Sequence, residues 1–448
     1  MPGNSCAVSV ALICGLLPLR AQDCRVENTD YQGWNATRIS NPWVALTIVP
    51  QIGGRLMQVT FGGHDYLYVN EQLKGQSVSP EESKAQKRWF NYGGDKIWPM
   101  PEGSNDEQSW PGAVGQPLDS GAFTLQVLER GATCAVRLVG PPDAFTGQQY
   151  TRDIRIGADS PAISFHAVMK NISGYPQVWS EQSVSQYNTA DPKNPSEANA
   201  DFWGFTPANA QSVYLNSYHV RTGAASTSGY SVRDGLFAVH SVDAGGEVWV
   251  DSPGEWLAVV DGSTKYAMVE RFRYQRGAEY PGKATVIFFT TGGNRRAQQQ
   301  ARPPSFYMEA ELNSPMVRLD PGESYAMDTQ WFPTRMGSNL KRTTYAGVVG
   351  RPLSATSGSG GITLAGEFGV FFPGNLEARF YDSRGYRIGA AMVQEATPLE
   401  LITLQYTVQA PAETERVSLH LIDRHGSDRG PLGEALVSLP SAQGAPNN

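Results

Sequence analysis

Short runs in which apolar and polar residues alternate occupy most of the chain, and they predict half-buried β-strands. The runs end at residues that favour turns: Val44–Val49 stops at Pro50, and Arg55–Phe61 stops at Gly62. We find neither a long amphipathic helical pattern nor a repeat of solenoid type. The sequence therefore predicts an all-β fold built around a large β-sandwich.

A change of composition divides the chain near its last quarter. Residues 347–362 are rich in Gly and Ser, which predicts a flexible linker. We expect residues 22–346 to form the large β-sandwich, with a mature N-terminus near residue 22. Alternating runs after the linker predict a small Ig-like β-sandwich over residues 363–440. The polar tail, residues 441–448, is predicted to be disordered.

The first 21 residues resemble a secretory signal peptide. An apolar run from Ala7 to Leu19 precedes a small residue at Ala21, and the run is too short to span a membrane comfortably. No Lys or Arg precedes it, which is atypical, so whether it works as a signal stays open. No other run approaches about 18 apolar residues. We therefore expect a secreted or periplasmic protein without a membrane span.

Charge and cysteine content narrow the classes of partner. The net charge is −7, and no dense Lys/Arg cluster is present, which excludes nucleic acid as the expected partner.

Cys6 and Cys14 fall within the predicted signal, which leaves Cys24 and Cys134 as one pair in an exported protein. A disulfide is the prediction, and two unconnected thiols are the alternative. The six histidines show no ligand spacing, so we expect no metal and no other cofactor. Nothing indicates the oligomeric state.

The segment Phe306–Leu312 is the most informative part of the chain. It is an apolar strand that carries a carboxylate at Glu309, and a Pro321-Gly322 turn and a second strand ending at Trp331 follow it. A Glu in an apolar strand is costly unless it is paired or functional. This pattern resembles the C-terminal end of the galactose mutarotase (aldose 1-epimerase) superfamily, and the resemblance implies that Glu309 is the general base. A half-buried Glu paired with an Arg is the alternative.

The resemblance spans about residues 41–332. Val49–Leu56, which contains Arg55, is similar to the opening strand-turn-strand of those proteins. A second segment, Trp89–Pro99, lies where mutarotases carry an Asn-x-His-Gly-Gly motif; its Asn-Tyr-Gly-Gly-Asp-Lys-x-Trp-Pro variant resembles an uncharacterised bacterial branch. Aromatic rings pack on the C–H faces of a pyranose, and polar groups bind its hydroxyls. The resemblance therefore implies a group of sugar-binding residues: Arg55, Asn91, Tyr92, Asp95, Lys96 and Trp98. A loop with core aromatics and a solvated Asp95–Lys96 pair is the alternative.

Two histidines that the superfamily uses are missing. Tyr92 stands in place of one, and the segment Ser180–Val184 stands where a strand would carry the catalytic acid. Glu181 in that segment would serve as the acid if burial raised its pKa, and Gln182 beside it joins the predicted sugar-binding residues.

We therefore expect an exported protein that recognises a sugar or glycan, with weak or altered aldose epimerase activity as an open question. Two rival interpretations remain. One is a glycan-degrading lyase or hydrolase that uses a carboxylate pair on the same fold. The other is a non-catalytic envelope protein.

Overall fold

The computed structural model describes residues 23–103, 109–223, 228–292 and 305–439. The predicted signal peptide, with Cys6 and Cys14, and the predicted disordered tail lie outside these residues. Within them, helix is confined to α1 (Pro80–Gln86), α2 (Pro117–Ser120) and two single 3₁₀ turns, and strands make up most of the rest. The all-β prediction is confirmed. None of the described helices is long or apolar enough to cross a membrane.

Thirty strands are present in the described ranges. The first ten are β1 (Arg25–Tyr31), β2 (Trp34–Ser40), β3 (Val44–Val49), β4 (Arg55–Phe61), β5 (His64–Asp65), β6 (Asp95–Met100), β7 (Thr124–Glu129), β8 (Thr133–Asp143), β9 (Gln148–Gly157) and β10 (Ile163–Asn171). The next ten are β11 (Gln177–Asn188), β12 (Phe202–Pro207), β13 (His219–Val220), β14 (Tyr230–Arg233), β15 (Leu236–His240), β16 (Gly246–Val250), β17 (Trp256–Asp261), β18 (Tyr266–Arg271), β19 (Val286–Thr290) and β20 (Tyr307–Asn313). The last ten are β21 (Val317–Leu319), β22 (Ser324–Arg335), β23 (Arg342–Thr343), β24 (Gly347–Gly358), β25 (Gly361–Val370), β26 (Gly374–Tyr381), β27 (Arg387–Ala396), β28 (Ile402–Val408), β29 (Arg416–Asp423) and β30 (Asp428–Ser438).

The strands form three sheets. The first has twelve strands in the order β1-β2-β3-β4-β6-β11-β20-β19-β16-β13, with β5 paired to β4 and β21 paired to β11. The second has ten, in the order β14-β15-β12-β17-β18-β22-β10-β9-β8-β7. The third has eight, in the order β27-β26-β29-β30-β24-β25-β28, with β23 paired to β24. Pairing is antiparallel except between β24 and β30.

The first two sheets pack face to face as a sandwich. Their inner side chains form one buried cluster, to which β20 contributes Met308 and Leu312 and the second sheet contributes Phe165, Val259 and Trp331. Successive residues of a strand point to opposite faces, so the other half of each strand of the first sheet faces outward. The outer face of the central strands carries Lys96 of β6, Gln182 and Gln186 of β11, and Glu309 and Glu311 of β20.

The third sheet folds on a core of its own but is joined closely to the sandwich. Phe332 of β22 stacks on Phe371, which follows β25, with ring centroids 4.6 Å apart. Both rings belong to a buried cluster that also includes Val269 of the second sheet and Val348 of β24. The cluster shows that apolar packing continues across the junction.

The predicted linker is wrong. Residues 347–362 form β24 and the turn into β25, with Leu353 and Ala355 buried in the third sheet's core. A Cβ at Gly347 would lie 2.0 Å from the carbonyl oxygen of Gly369. Glycine is therefore required there for a close approach of two strands, not for flexibility, and composition alone cannot separate these two uses.

Cys24 and Cys134 are bonded as a disulfide, with their Cα atoms 5.9 Å apart. Cys24 immediately precedes β1 of the first sheet, and Cys134 lies on β8 of the second. The bond therefore ties the N-terminal end of the described chain across the sandwich, and the pair chosen from the sequence is the pair that is joined.

We expect that replacing both cysteines by Ala will lower the free energy of unfolding by roughly 2–4 kcal/mol, because the unfolded chain gains the entropy that the cross-link removes. Urea denaturation followed by tryptophan fluorescence measures the change. Reduced wild-type protein should behave like the double variant. Equal midpoints for the oxidised wild type and the double variant would contradict the prediction.

Candidate functional site

An open cleft of about 760 Å³ lies on the outer face of the first sheet. Its floor is made by the central strands, and its walls come from the segments that follow β6 and β13. Four carboxylates line it together with aromatic and polar side chains. The carboxylates are Glu102, Glu247, Glu309 and Glu311. The aromatic side chains are Trp89, Trp98, Trp249, Phe289 and Tyr307.

Strand alternation places the acidic residues in the cleft. On β20 the even-numbered Met308 and Leu312 enter the apolar core, so the odd-numbered Glu309 and Glu311 point the other way. On β16 the same alternation sends Trp249 and its neighbour Glu247 outward. A period of two thus gives each of these strands one apolar face and one functional face.

Glu309 is held from below by two groups. The Lys96 ammonium lies 3.8 Å from one carboxylate oxygen, and the Gln186 amide donates a hydrogen bond of 2.6 Å to the same oxygen. Lys96 is buried and its Nζ lies 4.2 Å from the centre of the Trp98 ring, a cation–π contact. Burial lowers the pKa of Lys96, and the charge of Glu309 opposes that shift. The contact brings the two groups together in a place that water reaches poorly.

The pKa values of the other three carboxylates are raised above their ordinary value. Burial, and then the charges of Glu309 and Glu247, raise the pKa of Glu102 to about 7. Burial and the same neighbours, with Glu102, hold the pKa of Glu311 well above its ordinary value. Burial also raises the pKa of Glu247, although the Trp249 indole donates to it and Arg221 lies 3.8 Å away. The cleft therefore contains carboxylates in different electrostatic environments.

A second layer of residues supports the floor. Arg55 is buried and pairs with Asp119 at 2.6 Å, and it also donates to the carbonyl oxygen of Gly93. Asp119 accepts a hydrogen bond of 3.2 Å from the Trp89 indole. This chain of contacts fixes the orientation of Trp89 at the cleft wall. No group of three or more His, Cys, Asp or Glu side chains in the described ranges has the geometry to hold a metal.

Residues 35–333, which include every residue of the cleft, match a family model described as a domain of unknown function, DUF4380. The chain belongs to the DUF4380 family. No curated protein matches it.

Several solved structures resemble the DUF4380 chain distantly. A TPR-domain-containing protein from Parabacteroides distasonis is 15% identical, with a TM-score of 0.45, and the match covers 67% of this chain and 47% of that one. The chain thus spans about half the length of that protein. A galactose mutarotase-like protein from Clostridium acetobutylicum is 12% identical, with a TM-score of 0.44 and coverage of 70% and 99%. A second one, from Lactobacillus casei, is 9% identical, with a TM-score of 0.44 and coverage of 66% and 99%. Likeness this distant says nothing about function.

Part of the predicted site comes together in the DUF4380 domain. Trp98, Gln182 and Glu309 line the cleft, and Lys96 lies directly beneath it. Gln182 donates to Glu311 at 2.5 Å. Asn91 lies beside the Tyr307 hydroxyl at the edge. Arg55 does not line the cleft; it is buried against Asp119 and supports the cleft wall through the contact of Asp119 with Trp89.

Three predicted site residues are elsewhere. Asp95 and Glu181 lie on the inner face of the first sheet, where Asp95 pairs with Arg152 of the second sheet. Tyr92 is buried beside Trp34, and its hydroxyl accepts the backbone N–H of Val78 at 2.8 Å. Because neighbouring strand residues face opposite ways, Lys96 and Gln182 can reach the cleft only if Asp95 and Glu181 turn from it. Glu181 cannot be the acid partner of Glu309.

Sequence reasoning missed most of the acidic lining of the DUF4380 domain. Glu311 was detectable, since it lies two residues after Glu309 and so shares its face in any strand. Glu247 and Trp249 show the same spacing in an apolar run. Glu102 gave no such signal, because it lies in an irregular segment whose position depends on tertiary packing.

The buried Glu181 makes stability depend on pH. Burial raises its pKa from 4.5 to about 8, so between these values the folded state holds a proton that the unfolded state releases. Stability should therefore fall as the pH rises through this window, by at most about 1.4 kcal/mol per pH unit for this group. Glu181→Gln removes this pH dependence. The free energy of unfolding of the variant, relative to that of the wild type, should therefore be greater at pH 8 than at pH 5. Thermal unfolding at both values tests this. An unchanged difference, equal to that of the exposed control Glu413→Gln, would contradict it.

Proposed function

We propose that the cleft binds a sugar or glycan and that Glu309 and Glu102 act there as general base and general acid. The observation that supports this most directly is the separation of the two carboxylates' environments in one open, aromatic-lined cleft. Lys96 lies beside Glu309, whereas Glu102 has a pKa of about 7 and so keeps a substantial protonated fraction near neutrality.

The lining suits a pyranose. Trp98, Trp249 and Tyr307 offer flat apolar faces for C–H groups, and carboxylate and amide groups between them accept and donate hydrogen bonds to hydroxyls. The volume of about 760 Å³ accommodates more than one sugar unit, which agrees with either a free sugar or a glycan end.

In epimerase-like chemistry the proposed roles are complementary. Glu309 takes the proton of the anomeric hydroxyl while Glu102 protonates the ring oxygen, so the ring bond breaks and an open-chain aldehyde forms; reversal from the other face gives the second anomer. Glu102 then fills the place for which the sequence had indicated Glu181. Glycoside hydrolysis is the second candidate, because that reaction also uses a protonated and an ionised carboxylate in one cleft.

We also propose that the protein is exported and that residues 1–21 are removed. The disulfide supports this, because such bonds persist in oxidising compartments. The mass of protein recovered from the envelope or medium tests it, and an intact N-terminus on the exported chain would contradict it.

Binding is tested first. A panel of neutral and charged mono- and oligosaccharides, screened by tryptophan fluorescence and calorimetry, should give at least one ligand. Trp98→Ala should weaken that ligand by about 1–3 kcal/mol, since the apolar surface of the ring is lost. Trp203→Ala, a tryptophan of the second sheet, is the matched control. No binding in the panel by the wild type would contradict the proposed function.

Turnover is tested on the ligands found. Glu309→Gln and Glu102→Gln should each lower the rate of anomer exchange or hydrolysis by about a hundredfold or more, because an amide transfers no proton. Wild-type turnover should fall above about pH 7, where Glu102 loses its proton. NMR exchange spectroscopy and reducing-end assays measure the two reactions. Binding without either reaction would favour a purely recognising protein, and full activity of both variants would exclude these roles.

A further inference from the structure

We propose that the sugar unit held in the cleft carries a free, positively charged amino group, and that Glu311 is the carboxylate that pairs with it. The inference rests on the proposed sugar-binding function and specifies the class of sugar. It follows from the charges and rings around Glu311. The proposed acid–base chemistry gives this carboxylate no role, and the described chain places no cation beside it.

Carboxylates outnumber cations in the cleft. Glu102, Glu247, Glu309 and Glu311 all line it, whereas the basic side chains at the described lining and floor are Arg221 and Lys96. Both cations are already engaged. Lys96 is wholly buried beneath Glu309, and Arg221 lies over the Trp249 ring, 3.8 Å from Glu247.

Glu311 is left without a positive partner. It is 7% exposed, and its contact with Gln182 is a hydrogen bond from a neutral amide. Within the described ranges no Lys, Arg or His lies within ion-pair distance of it. Three other carboxylates surround it, and burial together with this crowding raises its pKa. A carboxylate kept in such a place is costly to ionise unless a ligand brings the opposite charge.

The Lys96 ammonium at the floor of the cleft also lacks a close hydrogen-bond acceptor. Lys96, aimed into the carboxylate group from below, has no hydrogen-bond acceptor for its Nζ among the described atoms, and its nearest carboxylate oxygen is 3.8 Å away. Within the described ranges Lys96 forms an ion pair with Glu309 and not with Glu311, and its charge only partly opposes the rise in the pKa of Glu311. The two cations of the site lie over tryptophan faces, at 4.2 Å for Lys96 and 4.7 Å for Arg221. Aromatic faces here hold cations, and a ligand ammonium meets the same kind of surface.

The charge of the ligand determines which change of protonation accompanies its binding in the cleft. An anionic sugar would face four carboxylates with no uncommitted cation among the described residues, which disfavours lyase chemistry on uronates. A neutral sugar brings no positive charge to Glu311, so its pKa stays raised. A sugar ammonium lets Glu311 ionise and form a pair, so binding releases a proton from the protein.

Affinity for the amino sugar should consequently rise with pH for as long as the sugar amine stays protonated, because the carboxyl groups with raised pKa values ionise as the pH rises. The other charged or titratable groups that face or underlie the cleft come from several elements. They are Lys96 of β6, Asp119 of α2, His219 of β13, Arg221, Glu247 of β16, and Tyr307 and Glu309 of β20.

The experiment compares three oligosaccharides of equal length and β-1,4 linkage: oligomers of glucosamine, of N-acetylglucosamine and of glucose. A parallel set of galactosamine, N-acetylgalactosamine and galactose covers the other common configuration. Calorimetry at pH 7 should show the free amine binding at least tenfold more tightly than both matched sugars in at least one set. Titration in two buffers of different ionisation enthalpy should show proton release with the amine alone.

Glu311→Gln should abolish the preference for the amine and keep binding of the N-acetyl or hydroxyl sugar within a few-fold, with circular dichroism confirming the fold. Glu413→Gln, which removes one exposed carboxylate far from the cleft in sequence, should leave the preference unchanged. A preference that survives in Glu311→Gln would reflect general attraction to a protein of net charge −7 and would overturn the proposal.

The two proposals fail in different ways. Equal affinity for the amine and its matched sugars, or tighter binding of the neutral sugar, would overturn the amino-sugar inference and leave sugar binding intact. Failure of all six ligands and of the wider panel would overturn sugar binding itself.

Discussion

The ion pair between Lys96 and Glu309 is the interaction on which the arrangement of the cleft depends. It joins β6 to β20 across the intervening strand β11, where Val184 lies opposite Lys96 and Gln186 lies opposite Glu309. A buried ammonium is stable only when it is paired and packed, and here a carboxylate and a tryptophan ring provide both. A slip of one residue in either pairing would move one partner to the other face of the sheet and leave the other as an isolated buried charge.

The same three strands carry charge on both faces. Below the cleft, between the sheets, Asp95 pairs with Arg152, and Ser185 donates to Asp95 at 3.1 Å. Glu181 lies in this layer, and no hydrogen-bond partner for its carboxylate oxygens is present among the described atoms. Burying polar groups on both faces makes these strands less stable than an apolar sheet would be. The surrounding apolar core and the disulfide offset that cost.

The carboxylates of the cleft differ in their surroundings because the Lys96 ammonium lies beside Glu309. Lys96 lies beside Glu309, so Glu102 and Glu311 experience mainly burial and repulsion. A site with one stabilised anion and several suppressed ones can hold a base and an acid within one cleft, and it can also respond to a ligand that brings positive charge. Geometry of this kind depends on which strands are neighbours more than on the identity of any one residue.

The sequence by itself determined the features that depend on local pattern. Alternation and turn residues predicted the all-β class and the strand that carries Glu309, and elimination of the signal cysteines left Cys24 and Cys134 as the bonded pair. Tertiary structure decided the rest. Alternation shows that Glu181 and Gln182 face opposite ways but not which of them faces the cleft, because that depends on the side to which the second sheet packs. Composition likewise could not show that Gly347 and Gly361 serve close strand packing, since each approaches a carbonyl oxygen of another strand, that of Gly369 on β25 and that of Val408 on β28. Glu102 enters the cleft only because an irregular segment packs over the sheet, and no local pattern records that contact.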